Sequence, residues 1–182
     1  MYFLSVLCVL AENPALIKNL FSKDSSGKCT GKYTVKFFPN GEYKPVNVDD
    51  YIPCCYPEQF SVQLPCFAHT RQPGELWPFI IEKAWAKLHG SYCMTRQGSA
   101  LLALSYLTGH PTEKIDHNQV SNEDDLWQAI HFAMNKGYIV TGQLYERDED
   151  HDHPDDMCDG LMHPRSAHSL PIIGIHHFQT DV

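Results

Sequence analysis

The chain has 182 residues, 43% of them apolar and 20% charged, the proportions of a folded globular protein rather than a disordered chain or coiled coil. Its formal net charge of −8 argues against a nucleic-acid partner, because binding phosphates requires a basic surface. No apolar run is long enough to predict a transmembrane span.

Seven cysteines, with no CxxC pair, exclude a zinc ribbon or a thioredoxin motif. They predict a reduced, cytoplasmic setting in which most of the thiols are small buried side chains. The opening MYFLSVLCVLA resembles the apolar part of a secretion signal, yet its first basic residue is Lys18. A buried helix over 2–12 is the preferred reading, stopped at Asn13-Pro14 because a residue before proline disfavours helix.

A short helix over 15–21 and a polar loop over 22–31 follow. Two alternating runs, 32–38 and 42–48, flank Pro39-Asn40-Gly41 and predict a hairpin. Residues 49–74 read as a long proline-containing loop. The clearest helix spans 75–89, with Trp85 and Leu88 on its apolar face and Gly90 as its stop. Further helices are expected over 98–107, closed by Thr108-Gly109, and over 123–136, capped by Asn122 or Ser121. Strands are expected over 138–143 and 169–176, the second interrupted by Pro171. Helices early and strands late predict an α+β fold.

Two constellations could carry chemistry. Residues 146–159 are dense in Asp, Glu and His and include Cys158. Because no glycine sits where a calcium hairpin needs one, a solvated loop is preferred over a metal site or a partner-docking segment. His163, His168, His176 and His177 gather near the C-terminal end. Each reads as structural unless a nucleophile and an orienting group converge on it.

Three blocks resemble the protease core of the calpains. The first is GKYTVKFF at 31–38, with Gly41-Glu42-Tyr43 and VNVDDYIP at 46–53, against the family's "GEW…V.VDD.LP". The second and most specific is Glu75-Leu76-Trp77-Pro78 with IEKAWAKLHGSY at 81–92, against "LW…LLEKAYAKLNGSY". The third is weaker: Leu107-Thr108-Gly109, and Gly160-Leu161 before His168. The likeness reaches from the first residues to about Ile175.

The resemblance implies a papain-like core, truncated at both ends. Residues 1–137 would form the helical first half, with its hairpin at 32–48, and 138–182 would start the β-rich second half. It also implies a mechanism in which a cysteine at a helix N-terminus attacks the peptide carbonyl. A histidine moves the proton, an asparagine orients it, and a glutamine helps hold the oxyanion. The family's "GDCWFLSAL" aligns with Tyr2-Phe3-Leu4-Ser5 on "WFLS", leaving Met1 where the cysteine stands. A thioether cannot become a thiolate. Cys8 lies about 10 Å further along a helix.

The family's "HAYSVTGV" aligns with His168-Ser169-Leu170-Pro171-Ile172-Ile173-Gly174-Ile175, so His168 takes the general-base position, ahead of His163. No counterpart of the family's "NPWG" follows it. Two functions remain: a non-catalytic binding or scaffold module with protein partners, cytoskeletal ones among them, and a fragment of a calcium-dependent cysteine endopeptidase. Calcium enters only through the resemblance, and no residue is assigned to it.

Overall fold

The computed structural model describes residues 1–22, 31–56, 63–70, 72, 74–117, 120, 122–144 and 168–175. The acidic run 146–159 and His163, His176 and His177 lie outside the described residues. The fold is α+β: among the described residues five α-helices stand with three two-stranded antiparallel sheets.

Helix α1 (Tyr2–Ala11) buries residues almost all round, which suits its near-continuous apolar sequence. Asn13 ends the first helical stretch and caps α2 (Pro14–Leu20), its side chain accepting from the Ala15 amide. Strands β1 (Lys32–Phe37) and β2 (Lys44–Asp49) pair with Val35 opposite Val46, and their inner faces bury Val35, Phe37, Val46 and Val48. The connection is longer than a two-residue turn. Pro39 starts a 3-10 segment, and Asn40 and Gly41 both take positive φ (55° and 80°), which these residue types tolerate.

The stretch expected to be one long loop contains a small ladder, β3 (Cys54–Cys55) on β4 (Leu64–Pro65). Helix α3 (Trp77–Leu88) follows, then α4 (Ala100–Thr108), which is capped by the Ser99 hydroxyl and closed by Gly109 in the left-handed conformation. Helix α5 (Glu123–Asn135) is capped by Asn122 rather than Ser121, and buries none of its residues. Strands β5 (Val140–Leu144) and β6 (His168–Ile172) pair with Thr141 opposite Pro171. Pro171 therefore sits within the strand. A two-stranded sheet has only edge strands, where a missing N–H is tolerated.

The core forms where α1, α3, α4 and the first hairpin meet. Trp85 is 1% exposed at its centre, stacked on Phe3 with ring centroids 4.6 Å apart, and its indole N–H donates to the Tyr2 hydroxyl at 3.0 Å. Helix α1 packs on α3. Leu88 lies at the edge, partly buried against the same cluster.

The expectation of buried thiols is corrected. Cys8, Cys54, Cys55, Cys66 and Cys93 are all exposed and free. Cys8 is the outward-facing residue of an otherwise buried helix stretch, and three others occupy the rim ladder, so cysteine's apolar character decided none of these positions. Among the described residues no single helix is long and apolar enough to cross a membrane. Helices α1 and α2 reach that length and apolar composition only together, and they are bent by 118° at the break between them.

Candidate functional site

The start of α1 is the place to build from, because a helix N-terminus offers unpaired N–H groups and the positive end of a dipole. Met1 is its N-cap residue and is 48% exposed, with no side-chain cap and no acidic residue in the first turn. Four residues on, Ser5 is buried. Its hydroxyl lies 2.8 Å from the Tyr2 carbonyl and 2.7 Å from the hydroxyl of Ser169. Strand β6 thus lies against the first turns of α1. His168 opens that strand, its backbone paired with Leu144, one residue before the buried Ser169. The His168 side chain lies outside the described residues.

Glu82 on α3 borders the same region, a residue that the motif reading quoted but gave no role. Its carboxylate accepts from the Ala68 amide at 2.9 Å. Burial pushes its pKa above the ordinary glutamate value; the Ala68 amide, the Met1 amino group and His69 pull it back. No sequence pattern announces this, because Ala68 belongs to a loop brought onto α3 only by folding.

Next to it, Phe67 stacks on Tyr92 at 4.4 Å. Burial first, then the charges of Glu82 and Asp49, push the Tyr92 phenol up to about 12. Lys83 pairs with Asp49 and donates to the Tyr51 carbonyl at 2.6 Å, while Lys87 donates to the Asn47 carbonyl at 2.7 Å. The hydrogen bond from Lys83 holds the Asp49 carboxyl below its usual range. The polar edge of α3 thus fastens the end of the hairpin beside the site.

An open hollow of about 270 Å³ is lined by Phe21, Tyr33, Leu76, Trp77 and Ile80. It holds no carboxylate, imidazole or thiol, so it offers surface for packing and no group for catalysis. Among the described residues no three His, Cys, Asp or Glu side chains gather to hold a metal ion, so none is assigned to calcium.

Likeness to known sequences decides the family. The profile of the calpain family of cysteine proteases matches residues 1–181. This chain belongs to the calpain family. It is 39% identical over 145 residues to the calpain-type cysteine protease DEK1 of Zea mays, covering 76% of this chain and 6% of that protein. The likeness to DEK1 of Arabidopsis thaliana is 39% over 144 residues, with the same coverage. To calpain-13 of Rattus norvegicus it is 34% over 141 residues, 76% of this chain and 20% of the relative. The chain therefore spans only a small part of the curated relatives that it matches.

Proposed function

We propose that this chain is a non-catalytic calpain-like module that binds other proteins. One observation carries the reading. Tyr2-Phe3-Leu4-Ser5, aligned with the family's "WFLS", forms the first turn of α1 behind Met1, so the family's nucleophile position holds a thioether. A thioether has no proton to lose and makes no acyl-enzyme. His168 takes the general-base position by its six-residue spacing from Gly174. In this reading the core is papain-like, with 1–137 as its helical half and 138–182 opening its β-rich half. A cytoplasmic, cytoskeleton-associated partner is the occupant that the family suggests.

A second reading is favoured by the coverage of the relatives, 6% of the plant proteins and 20% of calpain-13. Here the 182 residues are one segment of a calcium-dependent cysteine endopeptidase, and the remaining catalytic residues lie in sequence outside them.

The test is cleavage of unfolded casein by the purified chain in millimolar calcium, with and without a thiol alkylator. No cleavage is expected, since losing the nucleophile alone lowers turnover by several orders of magnitude. Alkylator-sensitive cleavage would overturn the non-catalytic reading. Transcript sequence that encodes "QGxxGDC" directly before Tyr2, in place of Met1, would favour the second.

A further inference from the structure

The rim ladder places two thiols together. In β3 and β4, Cys54 faces Pro65 and Cys55 faces Leu64. The Cys66 amide donates to the Pro53 carbonyl at 3.0 Å, which extends the pairing by one residue, Pro53 opposite Cys66. Side chains alternate along strands, so Cys55 and Cys66 share one face as diagonal neighbours, while Cys54 points to the other. The Cys55 thiol leans across the ladder toward the Leu64 carbonyl, 3.6 Å away. The Cys66 thiol feels it directly: loss of solvent around the sulfur pushes its pKa up first, followed by a side-chain hydrogen bond with Cys55 and the charges of Cys55 and Cys54. Both residues are exposed, so an oxidant in solution can reach them.

We propose that Cys55 and Cys66 form an oxidation site, closed to an intramolecular disulfide by a low-molecular-weight disulfide such as oxidised glutathione. The Cys55 thiolate attacks one glutathione sulfur, forming a mixed disulfide and expelling a glutathione thiolate. The Cys66 thiol then loses its proton and attacks the Cys55 sulfur, expelling the second glutathione. Two protein thiols are oxidised, one glutathione disulfide is reduced, and the two released protons end on the two glutathione thiols. Cys66 serves as the resolving thiol because it stands diagonally across the ladder on the same face as Cys55. Diagonal neighbours in a ladder start somewhat further apart than disulfide partners, so closing the bond draws the strands together at this end. That movement ties the 66–68 segment to β3, and its Ala68 amide is the group that caps Glu82 on α3. The site is independent of whether the chain is catalytic.

The experiment titrates the reduced, full-length chain with oxidised and reduced glutathione mixtures and maps disulfides by mass spectrometry of unreduced peptides. One crosslink, Cys55 to Cys66, with loss of two hydrogens and two free thiols, is expected. Cys66→Ser should stop the reaction at a stable glutathione adduct on Cys55, and Cys54→Ser should leave the crosslink intact. A stable glutathione adduct on Cys55 or Cys66 in the unmutated chain, a crosslink through Cys54, or Cys55 and Cys66 joined between separate molecules would each overturn the proposal.

Discussion

Ser5 and Ser169 stand 164 residues apart in sequence and 2.7 Å apart in space, hydroxyl to hydroxyl, both buried. This bond joins the first turns of α1 to β6. It sets the strand that begins with His168 against the helix whose N-cap is Met1. Ser5 also donates to the Tyr2 carbonyl, so Ser169 has a fixed partner to meet. Replacing Ser169 by alanine should cost about 0.5–1.5 kcal/mol, the usual net value of one hydrogen bond. A urea melt of the two single alanine variants and the double variant checks it. Fully additive costs would show that the two hydroxyls are not coupled.

Trp85→Ala should cost about 3–5 kcal/mol, the range for truncating a buried aromatic side chain. The ring stacks on Phe3, contacts Phe37, His89 and Tyr106, and donates to Tyr2, so its loss opens the junction of α1, α3 and α4. A denaturant midpoint shifted by less than about 1 kcal/mol in equivalent free energy would contradict a core role.

Gly98 has room for no side chain. A Cβ built there would lie 2.4 Å from Cζ of Tyr2, and that ring cannot simply swing away because its hydroxyl accepts from Trp85. Gly98→Ala should therefore cost about 1–3 kcal/mol, as overpacking usually does. In a Tyr2→Leu background the penalty should largely vanish. An equal penalty in both backgrounds would place the strain elsewhere.

Glu82 makes stability depend on pH in a direction opposite to most carboxylates. Burial raises its pKa in the folded chain, so the folded state binds more protons than the unfolded state just above the ordinary glutamate pKa. Its contribution is favourable at low pH and is lost as pH rises through the raised folded value. Glu82→Gln keeps an acceptor for the Ala68 amide while removing the charge. The variant should gain on the unmodified chain as pH rises across that window, with the difference levelling off above it. Thermal melts from pH 4 to 8 measure this; a difference that shrinks with rising pH would refute it.

Much of the fold is legible in the order of residues, because its helices and first hairpin are fixed by local chemistry. The apolar run of α1, the Asn13-Pro14 break, the alternation on either side of Asn40-Gly41, and the caps Asn122 and Gly109 each act within a few residues. Long motifs carry family membership for a related reason: the 75–92 block combines a core face and a polar edge that few unrelated chains would share. Burial of cysteines was not legible, since a residue's hydropathy does not say which side of a helix or ladder it occupies, and Cys8 and Cys55 fell outside. Nor was Pro171 read correctly as an interruption: its place on an edge strand depends on β5 arriving from elsewhere in the chain. The contacts that shape the candidate site are all of this second kind. Ser5 meets Ser169, Ala68 caps Glu82, and Cys66 comes beside Cys55 only once separate strands, helices and loops are brought together, and no local pattern encodes a contact whose two halves are ordered by different elements.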